Sequence, residues 1–185
     1  MARIAPLEPP YEPGLQAEFD AVMRGAPPLV LFRTVAVSLR AWRKLVGGSL
    51  LDPGPLPLRE REIVIDRTCA LTGCEYEWGV HVAAFAEAAG LTAGEAAATA
   101  AVEADCASWT AAERALLVAV DALHARATLS AAEFTALRAH YDEAQVLEVL
   151  MLCGVYRTIA YLANGLDLPL ETGAARLPAR ATASR

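Results

Sequence analysis

The sequence has little positive charge, and what it has is not clustered. Its 185 residues include 16 Lys and Arg against 22 Asp and Glu, which gives a formal net charge of −6. The basic residues are almost all arginine and are scattered along the chain. Nucleic-acid-binding proteins carry a basic patch, and attachment to anionic membranes calls for a polybasic segment. We therefore expect neither a nucleic acid nor a membrane as a partner.

Long uninterrupted apolar runs are also missing, although 55% of the residues are hydrophobic. A membrane-spanning helix needs about 20 mostly apolar residues in succession, whereas runs such as 149–156 are far shorter. The first residues do not show a basic region followed by an apolar core and a cleavage site. We expect a cytoplasmic protein whose apolar residues form a core and a subunit interface.

Cysteine is scarce, with four in the chain: Cys69, Cys74, Cys106 and Cys153. A disulfide framework is not expected in a chain of this length without an export signal. Cys106 and Cys153 lie in apolar or helical contexts, which favours small buried side chains. The spacing of Cys69, Cys74 and His81 does not match a zinc site, and no glycine-rich phosphate loop follows a strand. The sequence therefore implies neither a metal nor a cofactor.

Strand signals are absent and helix signals are frequent, so we predict an all-α fold. Proline and glycine delimit helices over 29–46, 58–72 and 74–89. Four capping-box patterns, each a short polar residue followed three positions later by Glu or Gln, predict four more helix starts. The pairs are Thr92/Glu95, Thr110/Glu113, Ser130/Glu133 and Asp142/Gln145, and the helices they begin are expected over 93–104, 111–126, 131–140 and 143–164.

Titratable groups concentrate on two successive helices. Cys74, Glu77 and His81 stand at spacings of three and four residues, so they share one face of the 74–89 helix. On the helix before it, Glu62, Asp66 and Cys69 form a similar stripe. The helices are joined at Gly73, and a short junction can make them antiparallel neighbours or nearly so. An antiparallel pair can bring Glu62 within reach of His81.

The expected chemistry centres on His81, whose ordinary pKa is closest to neutrality. Glu77, four residues before His81, is expected to orient the ring and raise its pKa. Cys74 is placed in the first turn of its helix, where the helix dipole favours a thiolate, but Glu75 and Glu77 disfavour a further negative charge. The sequence leaves that balance open.

On these residues the chain resembles the carboxymuconolactone decarboxylase and alkylhydroperoxidase D superfamily. In its peroxidase branch a Glu precedes a Cys-x-x-Cys motif by twelve residues, and a His follows the second Cys by four; Glu62, Cys74 and His81 keep these spacings. Glu77 takes the place of the second Cys, so that disulfide cannot form here. Further similarity to an uncharacterised bacterial branch lies in 31–32, 57–65, 74–78 and 161–165, and the resemblance covers roughly 28–170.

The resemblance implies a single-domain helical bundle that assembles as a homo-oligomer, a trimer or a hexamer. We expect residues 1–27 to form an N-terminal arm and first helix, 28–170 the helical domain, and 171–185 a flexible tail.

Three functions compete at this point. The first is an enzyme that uses a Glu-Cys-His proton relay to decarboxylate or isomerise a small organic acid or lactone. There His81 is the general acid–base, Glu62 positions it or relays a proton, and Cys74 lines the pocket. The second is a thiol peroxidase with antioxidant activity, in which Cys74 attacks a hydroperoxide and Cys69 or an external thiol resolves the sulfenic acid. The third is a non-catalytic helical module that binds a ligand or partner.

The remaining aromatic and histidine residues have structural interpretations. Tyr76 and Trp78 point away from the Cys74 face and are expected in the core or at an interface. His124 and His140 have no thiol at helical spacing, so we expect them to be structural or exposed.

Overall fold

The computed structural model describes residues 2–101 and 108–178, and all regular secondary structure in those ranges is helical. The all-α prediction is confirmed. Cys106 and the last part of the expected tail, 179–185, lie outside the described residues. The helices are α1 (Pro13–Met23), α2 (Val30–Val35), α3 (Leu39–Val46), α4 (Leu58–Leu71), α5 (Glu75–Phe85), α6 (Ala93–Thr99), α7 (Ala111–Arg126), α8 (Ala131–Arg138) and α9 (Glu143–Gly165).

All four expected capping boxes form. At the start of α6, α7, α8 and α9 the cap side chain accepts the backbone N–H three residues on, and the Glu or Gln there accepts the cap residue's own N–H. The starts of these helices are therefore where the sequence placed them. Their ends match within two residues, except that α6 ends at Thr99 and the expected remainder to 104 falls mostly outside the described residues.

The predicted single helix over 29–46 is wrong, because the segment contains two helices. The helical backbone stops after Val35, and Ser38 adopts an extended conformation. Its side chain accepts the Ala41 N–H at 3.3 Å and so caps α3. Serine is a favoured cap because its hydroxyl satisfies an N–H that the first helical turn leaves unpaired. The flanking prolines and glycines mark the outer limits, but an internal cap divides the segment.

Helix α4 lies at the centre of the bundle and packs against α5, α7 and α9. All nine residues from 62 to 70 are buried, polar ones included. A helix that is buried on every side cannot keep its polar groups in water, and any that lacks a partner inside the protein carries a desolvation cost. The buried polar side chains of α4 are therefore candidates for a functional role.

Gly73 makes the turn from α4 to α5. Its φ is +64°, a left-handed conformation that glycine adopts without a Cβ clash. The Cys74 N–H then donates to the Cys69 carbonyl at 2.9 Å, and Cys74 is the cap residue of α5. The expected helix over 74–89 is thus shorter at both ends, and Cys74 stands just outside the first turn.

Helix α9 is long and apolar enough to cross a membrane by length and composition, the one such helix in the described residues. The sequence showed no uninterrupted apolar run long enough to span a membrane. Helix α9 still qualifies because the criterion here is the mean hydropathy of an 18-residue window, 1.6, and such a window can contain charged residues. Of that window 39% is buried inside the protein, against α4, α5, α7 and α8. A core helix of a water-soluble bundle has the same composition, so the feature is weak evidence for a membrane span.

Both ends of the described chain lie on the bundle. Arg3 N–H donates to the Leu166 carbonyl at 2.7 Å. Residues 171–178, which we call the C-terminal strap, cross α5, where the Ala175 N–H donates to the Gly79 carbonyl at 3.1 Å. A Cβ at Gly79 would lie 2.3 Å from the Ala175 carbonyl oxygen, so only glycine lets the strap come this close. The division into an N-terminal arm and first helix (1–27), a helical domain (28–170) and a tail (171–185) stays a prediction.

Candidate functional site

Helices α4 and α5 bring Glu62 and His81 into contact. His81 Nδ1 lies 2.7 Å from Glu62 Oε2, and the two side chains are only 3% and 1% exposed. The Cys69–Cys74 backbone hydrogen bond lies at the other end of the same helix pair, at the Gly73 turn. The helices therefore run in opposite directions, and the predicted proximity of Glu62 and His81 is confirmed.

A second carboxylate faces the other ring nitrogen of His81. Glu77 Oε1 lies 3.4 Å from His81 Nε2, across the i,i+4 spacing that the sequence indicated. Burial disfavours a charged imidazole, but the hydrogen bonds and charges of Glu62 and Glu77 outweigh it and raise the pKa of His81 to about 10. The two carboxylates thus favour the protonated form of His81, in which Nδ1–H is donated to Glu62.

Aromatic rings hold the imidazole in place. The ring centroid of His81 lies 5.1 Å from that of Phe85 and 5.0 Å from that of Tyr156, whose ring is nearly perpendicular at 88°. Tyr156 comes from α9 and is almost fully buried. Its place beside His81 could not be inferred from the sequence, because the two residues are 75 positions apart.

Arg61 is a second residue that sequence reasoning missed. Its Nε and Nη2 each lie 2.9 Å from Glu62 Oε1, its Nη1 donates to the Leu51 carbonyl at 3.1 Å, and its guanidinium lies over Phe85 at 5.6 Å. Glu62 therefore divides its two oxygens between Arg61 and His81. The alternating Arg and Glu of 59–62 suggest a solvated helix start, which hides this role.

Asp66 lies one turn after Glu62 and is also buried, with 1% of its surface exposed. Its Oδ1 has no hydrogen-bond partner among the described residues. Burial, with a smaller contribution from Glu62, raises the pKa of Asp66 to about 8 against the opposing effect of His81. The sequence placed Asp66 on the Glu62 stripe but assigned it no role.

Cys74 is fully buried, which settles the balance that the sequence left open. Burial raises the pKa of the Cys74 thiol to about 11; a hydrogen bond from the Glu77 backbone N–H opposes this rise, and the Glu77 charge adds to it. Cys69 is buried as well, and burial raises its pKa even further above the ordinary value. Both are free thiols, so no Cys69–Cys74 disulfide is present. Cys74 is a neutral thiol at physiological pH.

The other residues singled out in the sequence have structural places. Tyr76 donates its hydroxyl to Glu171 of the strap and accepts the Leu31 N–H at 3.0 Å. Trp78 Nε1 donates to Thr99 Oγ1 at 3.0 Å. Both aromatics are buried, as expected. His140 is exposed and His124 is half-buried, away from Glu62 and His81.

No group of three or more His, Cys, Asp and Glu side chains among 2–101 and 108–178 is arranged to hold a metal ion. Three acids, Glu62, Asp66 and Glu77, surround His81, and Arg61 provides a positive charge beside Glu62. Such a cluster can hold a proton on His81 and hand it to a bound molecule.

Part of the chain matches a known protein family. The model of the carboxymuconolactone decarboxylase family matches residues 37–121, a range that contains Glu62, Cys74, Glu77 and His81. The resemblance to the carboxymuconolactone decarboxylase and alkylhydroperoxidase D-like superfamily that the sequence predicted is therefore confirmed over residues 37–121. A search among curated proteins gives no significant match.

Several solved structures share the fold of this chain. An uncharacterised peroxidase-related protein from Silicibacter sp. TM1040 is 15% identical with a TM-score of 0.81, over 94% of this chain and 93% of that one. Another, with an alkylhydroperoxidase D core, comes from Ralstonia eutropha JMP134 and is 20% identical with a TM-score of 0.81 over 92% of both chains. The debrominase Bmp8 is 18% identical with a TM-score of 0.73, also over 92% of both chains. At these identities the likeness concerns the fold alone.

Proposed function

We propose that this protein is an enzyme that transfers protons through His81, positioned by Glu62, on a small organic acid or lactone. The observation that supports it most directly is the buried imidazole held between two carboxylates, with Nδ1 2.7 Å from Glu62 and Nε2 3.4 Å from Glu77. Structural histidines seldom bring two carboxylates into a core, because burying extra charge is costly. Strongly perturbed titratable groups of this kind cluster at active sites.

His81 is suited to act as a general acid through Nε2. Its Nδ1–H is held by a short, charge-assisted bond to Glu62, which sets the orientation of the ring. The Nε2 proton faces Glu77 at 3.4 Å, longer than an ordinary hydrogen bond, so it is the more loosely held of the two. A substrate that reaches Nε2 must displace this weak contact and part of the packing around the ring, because His81 is only 3% exposed.

In a decarboxylation the bond between the carboxyl carbon and its neighbour breaks and carbon dioxide leaves. The electron pair stays on the substrate carbon, delocalised into an adjacent carbonyl or lactone group. His81 Nε2–H then donates its proton to that carbon, and the imidazole regains a proton from solvent. Cys74, as a neutral thiol, lines the pocket with a polarisable side chain and does not act as a nucleophile.

We place the thiol peroxidase alternative second. It requires a reactive thiolate, whereas Cys74 is fully buried with a raised pKa, and Glu77 takes the place of the second Cys of the peroxidase motif. The relatives described as peroxidase-related share less than a quarter of their residues with this chain, and so does Bmp8, which has been solved with 2,3,4-tribromopyrrole bound. A non-catalytic binding module ranks third, because it gives no reason for the unpartnered buried Asp66 and Glu77 oxygens.

We also propose that the protein works as a homo-oligomer, a trimer or a hexamer. On α9 the large apolar side chains of Leu147, Met151 and Tyr161 are 61%, 52% and 64% exposed, at helical spacings that place them on one face. On α7, Val118 is 50% exposed as well. A row of exposed apolar side chains is typical of a subunit interface.

The test is a screen of small carboxylic acids and lactones by NMR, with carbon dioxide release measured in parallel. Once a substrate is found, His81→Gln and Glu62→Gln should each lower turnover by at least about 100-fold, the typical contribution of a general acid. Cys74→Ser should retain most of it. The matched control is His140→Gln at an exposed histidine. Full turnover in His81→Gln would refute the proposal, and loss of turnover in Cys74→Ser alone would move the assignment to thiol chemistry.

A further inference from the structure

A cavity of about 470 Å³ lies where the C-terminal ends of α4 and α7 meet the middle of α9. Its walls include the apolar side chains of Val120, Leu123 and Leu150, and Thr68 and Cys153 also face it. Cys153, expected to be buried, is half-buried here. None of Glu62, Cys74, Glu77 and His81 lines the cavity, so it is separate from the candidate site. Its volume is within the range of about 300–1,000 Å³ seen for small-molecule sites.

The charged side chains in the described cavity wall, Arg126 and Arg157, are both basic, and His124 lines the wall beside them. No Asp or Glu occurs among the described lining residues. Arg126 already has a counter-charge, because its Nη2 contacts both carboxylate oxygens of Glu133 at 2.7 and 2.8 Å. Arg157 has none.

Arg157 is unusual among the basic residues of the described chain. Six lysine and arginine side chains there have no carboxylate within 4.0 Å, and all except Arg157 are exposed: Arg3, Arg24, Arg40, Lys44 and Arg114. Water solvates an exposed guanidinium, but a half-buried one without a counter-charge is a desolvation cost. The structure therefore keeps a cation at the cavity wall that nothing in the described chain neutralises.

The Arg157 guanidinium is held in one orientation. Its Nε donates to the Tyr161 hydroxyl at 2.8 Å and its Nη1 to the His124 carbonyl at 3.2 Å, while Nη2 donates to no described group. The His124 carbonyl belongs to the last turn of α7, whose partial negative charge Arg157 offsets. Part of the guanidinium fork is thus available for a second acceptor.

We propose that this cavity is a binding site for a small organic anion with an apolar body, such as an arylcarboxylate. The anion accepts hydrogen bonds from Arg157, and the apolar body packs against Val120, Leu123 and Leu150. A carboxylate forms charge-assisted, often paired hydrogen bonds with a guanidinium, which is the geometry that an oriented arginine fits best. The site is independent of the chemistry proposed for His81.

The experiment is isothermal titration of the full-length protein with three probes of matched shape: sodium benzoate, benzamide and benzylammonium, at constant ionic strength. Benzoate should bind, and the neutral and cationic analogues should bind at least about 10-fold more weakly, since a hydrogen bond to a charged group contributes about 1.5–3 kcal/mol. Arg157→Gln should weaken benzoate by at least about 10-fold and remove the preference over benzamide. Arg157→Lys should keep part of that preference. Arg40→Gln, at an exposed arginine, is the control.

A second variant tests the place of binding rather than the charge. Gly154 lines the cavity, and a Cβ built there meets nothing within 4 Å, so Gly154→Leu puts a side chain into open space. We expect it to abolish benzoate binding while the thermal unfolding midpoint is unchanged or raised, because glycine weakens a helix. Absence of benzoate binding to the wild type would overturn the proposal. So would equal binding of benzoate and benzamide, or benzoate binding that survives Arg157→Gln or Gly154→Leu.

Discussion

Two networks of buried charge lie one turn apart on α4 and use the same kinds of residue in opposite ways. In the first, Arg59 donates to Glu113 at 2.6 Å, to Glu95 at 2.7 Å and to the Gly90 carbonyl at 2.6 Å. In the second, Glu62 and its neighbours surround His81. The first network joins three segments of the chain, whereas the second concentrates acids around one titratable ring.

The pKa values of the acids show the difference between them. The hydrogen bond from Arg59 is the main cause that lowers the pKa of Glu95 to about 2. Burial opposes the same change at Glu113, but the Thr110 N–H and Arg59 still hold its pKa below the ordinary value. Around His81 the pKa of Asp66 is raised, and one oxygen each of Asp66 and Glu77 has no partner among the described residues. A structural network satisfies every group, while a site for chemistry keeps some unsatisfied.

The largest expected effect comes from breaking the structural network. Arg59→Leu leaves Glu95 and Glu113 buried without their cation, so we expect a loss of about 3–5 kcal/mol in the free energy of unfolding. Urea unfolding at pH 7 measures it. Arg40→Leu, at an exposed arginine, should change stability by less than about 0.5 kcal/mol. A loss below about 1 kcal/mol for Arg59→Leu would remove the contrast between the two networks.

Changing the acids around His81 should move its pKa rather than unfold the protein. Glu62→Gln removes the carboxylate at 2.7 Å and should lower the pKa of His81 by about 1–3 units from its value of about 10. Glu77→Gln should lower it less, because that carboxylate is 3.4 Å away. NMR titration of the imidazole measures both shifts. A larger shift for Glu77→Gln would contradict the assignment of Glu62 as the main partner.

The raised pKa of Asp66 predicts a change of stability between pH 5 and pH 8 that the Arg59 network does not give, because the acids of that network have lowered pKa values. The folded pKa of Asp66, about 8, lies above the value of about 3.9 in an unfolded chain, so between these limits the native state holds a proton that the unfolded state has released. Its contribution to stability is thus complete below pH 4 and is lost as the pH rises through 8, by at most about 1.4 kcal/mol per pH unit. Asp66→Asn cannot ionise and should flatten this fall between pH 5 and pH 8, as urea unfolding would show. An unchanged slope would refute it.

The smallest expected effect on stability comes from the contact between the C-terminal strap and α5 at Gly79. Gly79→Ala brings a Cβ against the Ala175 carbonyl and should cost about 1–2 kcal/mol in the free energy of unfolding. Gly154→Ala, in open space on α9, should be neutral or stabilising by up to about 1 kcal/mol. Thermal unfolding compares the pair. Equal effects in the two variants would show that the strap does not pack on Gly79.

The sequence alone predicted the parts of the molecule that depend on short-range chemistry. Each capping box is formed by residues three apart, so the starts of α6 to α9 could be read directly. The contact between Glu62 and His81 was also within reach, because it needs only two helices joined by a tight glycine turn. The division of the 29–46 segment at Ser38 was not predicted, because the sequence does not show whether a serine inside a helical segment caps a new helix.

What only the tertiary structure decided is the environment of each titratable group. Helical spacing placed Asp66 on the Glu62 face, but the complete burial that raises its pKa results from packing of α4 against several other helices. The same burial keeps Cys74 a neutral thiol, although its position near a helix start favoured the thiolate. Tyr156 reaches His81 from a helix distant in sequence. Spacing determines which residues can share a face, whereas pKa values depend on desolvation and nearby charge, which only the assembled fold sets.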